Sequence, residues 1–151
     1  MKSHMLSRMA EPPRFVDDYL LYLLARASHA ASAAFHARLK ACGVTVPVWR
    51  VVATLHGSVE GETVGTLAAA CLMQQPTMTK LLDRMAADRL VTRRREGRIT
   101  RVRLTARGAR LAEDLIPLAR AHEAELLTRH AAEAPAMKAM LRGLIGASTG
   151  G

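Results

Sequence analysis

The sequence predicts a single domain that is mainly α-helical and carries one small β-hairpin. Apolar residues make up 50% of the 151 residues, but aromatic residues make up only 3%. The apolar content is therefore mostly Ala, Leu, Val and Met, which favours helices. Most of the chain repeats apolar residues at helical spacing, whereas the alternation typical of a strand occurs near residues 100–104. A chain of this length is sufficient for one substantial core.

The N-terminal part of the chain predicts two helices. The first runs from Phe15 to about Cys42 and is apolar nearly all round between Tyr19 and Ala34, which indicates burial on several sides. In a chain of 151 residues, such a helix indicates that a second subunit covers it. Gly43 is expected to end this helix, and a second helix follows from about Val46 to His56.

Two short helices are predicted between Thr63 and Met85. Thr63 is the expected N-cap of the first, and Pro76 suits the first turn of the second, where its missing N–H costs nothing. The second helix has one apolar row, formed by Met78, Leu81, Leu82 and Met85. Two short helices joined by about four residues, the second with a polar outer face, form the helix-turn-helix pattern of DNA-binding proteins.

A β-hairpin follows, with strands predicted at Val91–Arg95 and Arg98–Leu104 around a Glu96-Gly97 turn. From Arg89 to Arg110 the chain has nine arginines and one glutamate, a local charge of +8 in 22 residues, whereas the whole chain carries +9. Nearly all of the excess charge is therefore concentrated here. An arginine hairpin beside a helix-turn-helix predicts a wing that grips phosphates or enters a minor groove of double-stranded DNA.

Two further helices complete the predicted fold, one from about Gly108 to Ala131 and one beginning near Pro135. They and the first helix carry apolar rows that have nothing of their own to bury against, so they are expected to form a dimerisation region. The predicted fold is thus mainly α with a small β-hairpin wing, a winged helix-turn-helix with flanking long helices.

The predicted organisation of the chain has three parts. Residues 1–14 form a disordered or expression-derived lead, residues 15–146 form a single winged-helix domain, and residues 147–151 form a frayed tail. Within the domain, the DNA-binding lobe is expected at about residues 46–105, and the dimerisation helices at about residues 15–42 and 108–146.

Four segments of the chain resemble the MarR family of winged-helix repressors. They are Leu67-Ala68, the run from Thr77 to Met85, Leu90-Val91, and the run from Arg101 to Gly108 with its LT-x-x-G pattern. The resemblance extends from about Tyr19 to Ile145. It implies a homodimeric, sequence-specific transcriptional repressor that a small, often aromatic or anionic, ligand releases. For a two-fold dimer we expect a palindromic operator with half-sites about one helical turn apart.

The chain departs from the family pattern in the wing and at two helix ends. Leu72 and Arg89 stand where the family often has glycine, in the helix-turn-helix turn and after the second of its two helices, which is called the recognition helix. Each must therefore accept a positive φ or adopt a different turn. The wing has Glu96-Gly97-Arg98 where the family usually has Asp-x-Arg, and its tip is shorter.

The expected DNA contacts lie on the outer face of the second helix and near the wing turn. On the helix they are residue types that bond to base edges and phosphates: Gln75, Thr77, Thr79, Lys80 and Arg84. In the wing they are the arginines nearest the turn: Arg94, Arg95 and Arg98. The resemblance implies that an acidic residue orients the wing arginine, and Glu96 either does this for Arg98 or is a solvated carboxylate of the turn.

The resemblance also implies an effector pocket where the long helices meet the DNA-binding lobe. The residues expected to line it are Tyr22, Arg26, His29, Trp49 and Arg50, among which Arg or His suits a carboxylate. A peroxide-sensing branch of the family keeps a reactive cysteine near the start of the first helix, where this chain has none. Cys71 is expected to be a small core residue, and Cys42 ends the first helix.

A non-specific architectural DNA-binding protein and a thiol- or redox-sensing regulator are the alternatives. No nucleophile–base pair, paired carboxylates or phosphate loop indicates an enzyme, and the sequence predicts no cofactor and no metal site. No stretch is long and apolar enough for a membrane span. The expected partners are double-stranded DNA, a second copy of the chain and a small-molecule effector, in a bacterial cytoplasm.

Overall fold

The computed structural model describes residues 12–148, and its class is the one predicted, mainly helical with a small antiparallel hairpin. The helices are α1 (Leu20–Ala41), α2 (Val46–Leu55), α3 (Val64–Ala70), α4 (Gln75–Ala87), α5 (Ala106–Leu126) and α6 (Ala134–Ser148). The strands β1 (Glu62–Thr63), β2 (Val91–Glu96) and β3 (Ile99–Leu104) form one sheet in the order β1-β3-β2. We call β2, β3 and their connecting turn the wing.

The chain divides after residue 34 into two compact units, so α1 begins in the first unit and ends in the second. In the first unit, α1 begins at Leu20 rather than at Phe15, because Phe15–Asp17 forms a separate 3₁₀ turn closed by an ion pair of 3.1 Å. Within residues 12–148, no helix has the length and apolar character that crossing a membrane requires.

The last two helices, α5 and α6, each end at a residue different from the predicted one. Helix α5 ends at Leu126 rather than near Ala131, because the chain tightens into a turn in which Thr128 N–H donates to Glu125 O at 3.3 Å. Helix α6 continues to Ser148, so residues 147 and 148 are helical and not part of a tail. The remaining parts of the predicted lead and tail, residues 1–11 and 149–151, lie outside the described residues.

The core of the second unit forms from the apolar rows that the sequence predicts. The α4 row, Met78, Leu81, Leu82 and Met85, is at most 4% exposed. It packs against residues from the neighbouring elements: Val51, Val52, Leu55, Leu67, Ala68, Cys71, Val91, Val102 and Ala112. A smaller cluster joins Phe35, Leu39 and Leu115. Helix α4 and the wing are therefore both anchored in one core through their buried sides.

Helices α1, α3 and α4 end in the same hydrogen-bond pattern, which requires a left-handed residue just past the helix. In α1 this residue is Gly43, and its N–H and that of the next residue donate to helix carbonyls at 3.0 and 2.9 Å. Helices α3 and α4 repeat both bonds, but their left-handed residues are Leu72 (φ 58°) and Arg89 (φ 59°). Of the two possibilities that the sequence left open, both residues therefore take the positive φ.

The first turn of α5 lies against the end of α4. The Thr105 hydroxyl caps α5, because its oxygen accepts the Gly108 N–H at 3.0 Å, and it donates its proton to the Arg89 carbonyl. Gly108 is buried, and a Cβ on it would lie 2.1 Å from the Leu90 carbonyl oxygen. The Thr105 N–H donates to that same oxygen at 3.1 Å. The LT-x-x-G pattern therefore has a structural reason, since its Thr and Gly let α5 approach the start of the wing.

We predict that Leu72→Gly raises the free energy of unfolding by about 1 kcal/mol, because glycine takes a left-handed conformation without the clash that a Cβ causes. Leu72 is 80% exposed, so its removal loses little buried apolar area. Urea unfolding of wild type and variant measures the difference. Leu72→Ala is the control, since it shortens the side chain but keeps the Cβ. An equal gain from both variants would contradict the role of φ.

Candidate nucleic-acid interface

The polar face of α4 is exposed, and the helices of the helix-turn-helix begin as predicted. The Thr63 hydroxyl oxygen accepts the Thr66 N–H at 3.2 Å, which confirms Thr63 as the N-cap of α3. Pro76 occupies the first turn of α4. All five candidate DNA contacts on α4 are exposed: Gln75, Thr77, Thr79, Lys80 and Arg84. Each of these side chains is therefore accessible from outside the chain.

These five residues do not share one stripe of α4. Lys80 lies opposite the buried row, as the helical repeat requires. Thr79 lies one turn before Asp83, on the side toward the wing, since Asp83 forms an ion pair with Arg93 of β2. Arg84 lies on the other flank, where it lines a cleft. One DNA groove that contacts the wing can therefore also contact the wing-side stripe of α4, with Thr79, and the central stripe, with Lys80.

The wing turns one residue later than predicted. Glu96 pairs with Ile99 across the strands, so the turn residues are Gly97 and Arg98 rather than Glu96 and Gly97. Gly97 has a φ of 65°, which fits the hairpin turn that has Gly at its first central position. The need for a positive φ at this position sets the register, and Glu96 becomes a strand residue.

The strand register decides which side of the wing each arginine occupies. Arg93 pairs with Val102, and cross-strand partners project to the same face of a sheet. Val102 is fully buried, so Arg93 leaves the sheet on its core side, where its guanidinium reaches Asp83 of α4. Arg94, the next residue, projects from the opposite face and is exposed.

That opposite face carries a small ion-pair network. Glu96 accepts from Arg101 Nε at 3.2 Å and from Arg103 Nη1 at 3.4 Å, and Arg103 also lies 3.8 Å from Glu60. Among the described residues, Glu96 has no ion pair with Arg98. The possibility that Glu96 orients Arg98 is therefore not the arrangement found, because Glu96 shares a strand face with Arg101 and Arg103 while Arg98 lies in the turn.

The wing arginines thus fall into two groups. One group has its charge matched by a carboxylate: Arg93, Arg101 and Arg103. The other group has no ion pair within residues 12–148 and comprises the three predicted DNA contacts of the wing: Arg94, Arg95 and Arg98. Arg95 donates to the Gly97 carbonyl at 3.3 Å. The second group can take up a phosphate without breaking an ion pair.

A cleft of about 1050 Å³ opens beside α4, between the α1–α2 connection, the C-terminal half of α4 and the first turns of α5. Three guanidinium groups line it: those of Arg84, Arg107 and Arg110. Apolar side chains line it as well: Val48, Leu81, Met85, Leu90 and Leu111. Asp88 and Asp114 add two carboxylates, but none of the ion pairs found in the described part of the chain joins them to these arginines. The cleft combines apolar surface with available cations.

None of the five residues predicted to line an effector pocket lines this cleft. Tyr22, Arg26 and His29 lie on α1. Arg26 Nη1 donates to the Tyr22 hydroxyl at 3.0 Å, and the guanidinium carbon lies 5.7 Å from the centre of the tyrosine ring. His29 is exposed. Their assignment to a pocket stays a prediction.

The other two, Trp49 and Arg50, make contacts that stabilise the fold. The Trp49 ring packs edge-on against Phe35, with 5.3 Å between centroids. Arg50 Nη1 donates to the Cys71 carbonyl at 3.3 Å and so satisfies a backbone acceptor at the end of α3. Their assignment to the pocket also stays a prediction.

The cysteines differ in environment. Burial raises the pKa of the Cys71 thiol, although the Thr54 hydroxyl and the charge of Arg50 act in the opposite direction. A thiol that stays protonated is a poor nucleophile, so Cys71 serves as the small core residue that the sequence predicts. Cys42 is exposed and lines the cleft.

Comparison with known proteins agrees with this geometry. A model of the MarR family matches residues 43–99. The structure is similar to that of a MarR family transcriptional regulator from Silicibacter pomeroyi DSS-3, with 45% identity and a TM-score of 0.80, over 89% of this chain and 98% of that chain. The chain belongs to the MarR family. It is a DNA-binding transcriptional regulator and not an enzyme.

Two other MarR-like structures contain small molecules. A MarR family protein from Mycobacterium tuberculosis in complex with salicylic acid is 28% identical, with a TM-score of 0.67, over 83% of this chain and 96% of that chain. CouR from Rhodococcus jostii RHA1, bound to p-coumaroyl-CoA, is 20% identical with a TM-score of 0.76, over 87% and 95%, and this likeness shows the fold alone. No match was found among curated proteins.

Two features of the site were not predicted from the sequence. One is the ion pair between Asp83 and Arg93, and the other is the gathering of Arg107 and Arg110 with Arg84 around a cleft. The i, i+3 spacing of Arg107 and Arg110 indicates only that they share a face of α5. Both features depend on how separate elements pack, which no local pattern reports.

We predict that Arg94→Ala flattens the slope of log K against log salt by about 0.9 for each phosphate that the variant no longer binds, because each bound phosphate releases a counterion. Arg101→Ala should change the slope less, since Glu96 already matches its charge. Glu96→Ala should strengthen random-duplex binding by freeing Arg101 and Arg103. A salt titration with a random duplex measures all three. Equal slope changes for Arg94→Ala and Arg101→Ala would contradict this division of the arginines.

Proposed function

We propose that this regulator is a homodimeric repressor that reads a palindromic operator through α4 and the wing and is released by a small organic anion. The observation that carries the proposal is the exposed polar face of α4 beside a wing with three arginines outside the ion pairs of the described residues. A helix of this kind reads base edges in a major groove, while cations beside it bind the backbone phosphates. The residues assigned to these contacts are those predicted from the sequence except Arg84, which lies on the other flank of α4 and lines the cleft.

Exposed apolar side chains support a homodimer. Six of them, on residues 15–21 and on α6, are between 44% and 75% exposed in the single chain: Phe15, Leu20, Leu21, Met140, Leu144 and Ile145. On each of these two segments, exposed apolar side chains of this kind are typical of a protein–protein contact. A second copy of the chain is the occupant proposed, because a closed two-fold dimer covers the same surface on both subunits.

The polar character of α4 favours a sequence-specific regulator over an architectural DNA-binding protein. Charge alone gives binding that does not depend on sequence. Lys80 is exposed and can donate hydrogen bonds to base edges. The exposed Thr79 hydroxyl donates its proton to the Gln75 carbonyl at 3.0 Å, and its oxygen can accept a hydrogen bond from a base. Non-specific binding requires neither contact. The buried, protonated thiol of Cys71 gives no support to a redox sensor.

The cleft beside α4 is the proposed effector site. Its three arginines suit a carboxylate, and its apolar side chains suit an aromatic ring. The salicylic acid complex of the Mycobacterium tuberculosis relative is an example of such a ligand in this family. Because Arg84 lies on α4 and Arg107 on α5, a ligand held by both favours one position of α4 over another. Release of DNA requires that difference in affinity between the two positions.

We predict that selection from a random DNA pool yields an inverted repeat with half-sites about one helical turn apart. Thr79→Ala and Lys80→Ala should weaken binding to the selected sequence more than binding to a random duplex, by about 1–3 kcal/mol for each base that the variant no longer reads. Gel-shift titrations with both duplexes measure the difference. Arg120→Ala, which changes an exposed α5 residue outside the proposed interface, is the control. Equal losses on both duplexes would favour the architectural alternative.

We predict that salicylate weakens operator binding by the wild type. Arg107→Ala or Arg110→Ala should raise the salicylate concentration needed by about tenfold, because each removes a charge-assisted hydrogen bond to the carboxylate. Fluorescence anisotropy of a labelled operator measures the response, with each variant compared with its own salicylate-free affinity. Benzamide, which has the ring but no carboxylate, is the matched ligand control. An unchanged response in both variants would place the effector elsewhere.

A further inference from the structure

The recognition helix carries one acidic residue, Asp83, although its exposed face is proposed to meet a polyanion. A carboxylate near phosphates weakens binding unless a cation neutralises it. Asp83 has such a cation, because Arg93 of the wing forms an ion pair with it. Resting on the proposed function, we propose that the Asp83–Arg93 pair positions the wing relative to α4, so that both elements meet one half-site together. Asp83 and Arg93 are thus positioning residues for operator recognition.

The sheet register places Arg93 where this contact is possible. Arg93 lies opposite Val102, which is fully buried, so both residues project toward the core side of the wing, where α4 packs. Val91, on the same face, is 2% exposed. A shift of one residue in register would turn Arg93 to the outer face and bring Arg94 toward α4. The pair therefore forms in the observed register of the wing and not in a slipped one.

No second side-chain ion pair joins the same two elements in the part of the chain that the structure describes. Arg95, the other arginine on the core side of β2, donates instead to the Gly97 carbonyl at 3.3 Å. The partners of Arg101 and Arg103 lie outside α4. Beyond the apolar core, the Asp83–Arg93 pair is thus a polar link between recognition helix and wing.

The pair acts on preference more than on overall affinity. Asp83 and Arg93 neutralise each other, so together they contribute little net charge to phosphate binding. An exposed pair also stabilises a fold only slightly, and these side chains are 57% and 33% exposed. Orientation is different, because helix and wing must reach one half-site in a fixed relation. If the wing is free to move relative to α4, fewer hydrogen bonds to the operator form at the same time, and operator affinity falls. Affinity for a random duplex falls less, because a random duplex has no half-site to which both elements must fit.

The test uses four variants of the full chain: Asp83→Asn, Arg93→Gln, Arg93→Lys and the Asp83→Asn/Arg93→Gln double variant. The matched controls are Glu113→Gln and Arg120→Gln. They change exposed residues of α5 and alter the net charge as Asp83→Asn and Arg93→Gln do. Operator and random-duplex affinities are measured for each, and operator preference is their ratio. Thermal unfolding checks that the variants remain folded.

We expect Asp83→Asn and Arg93→Gln each to lower operator preference by roughly threefold to tenfold. The double variant should fall no further than the worse single variant, because the two residues act through one contact. Arg93→Lys keeps a cation opposite Asp83 and should retain most of the preference. Hydroxyl-radical footprints should lose protection where the wing binds and keep it where α4 binds. The two control variants should leave the preference unchanged.

Two results would overturn the proposal. If Asp83→Asn tightens operator and random duplex equally, Asp83 is only a repelling charge. If the effects of the two single variants add in the double variant, the residues act separately. Hydrogen exchange of the wing amides without DNA separates this proposal from the proposed function. Faster exchange in Asp83→Asn and Arg93→Gln supports the link between α4 and the wing, whether or not the wild type prefers the operator. Absence of operator preference in the wild type would refute only the proposed function.

Discussion

The structure depends on one close approach, that of the first turn of α5 to the carbonyl of Leu90. Gly108 makes it possible, because any Cβ there would overlap the carbonyl oxygen. Thr105 secures it with its own N–H and with a hydroxyl that both caps α5 and reaches Arg89. The end of the recognition helix, the start of the wing and the start of α5 therefore meet at one point. Each of these three segments carries residues proposed to contact DNA or effector.

The arrangement of the arginines matters more than their number. The sequence concentrates nine of them in 22 residues, yet the fold gives them different partners. Three are neutralised by carboxylates within the wing or on α4, three remain available near the wing turn, and Arg107 and Arg110 face a cleft. A local charge of +8 therefore overstates what a duplex meets. Three acidic residues determine which arginines are neutralised: Asp83, Glu60 and Glu96. The strand register and the packing of α4 place them next to their arginine partners.

Sequence reasoning succeeded where the controlling forces are local. The apolar row of α4, the cap at Thr63 and the glycine end of α1 follow from helical periodicity and from backbone groups that need partners. The predicted wing turn was one residue too early, because both Glu96-Gly97 and Gly97-Arg98 contain the glycine and only strand pairing distinguishes them. The Asp83–Arg93 pair and the cleft arginines bring together residues from separate elements. Their proximity is set by the core and not by spacing along the chain.

The left-handed conformations of Leu72 and Arg89 have a consequence for how the protein tolerates change. A residue with a Cβ at either position holds the backbone in a region that glycine would occupy freely, so both ends of the segment proposed to read DNA carry avoidable strain. The fold therefore lies below the stability that its own backbone permits. A loss of stability elsewhere can therefore be offset by a glycine substitution at Leu72, which is exposed and does not contribute to the core. Variants that alter the exposed polar face of α4 and lose stability are expected to regain it through a substitution at this position.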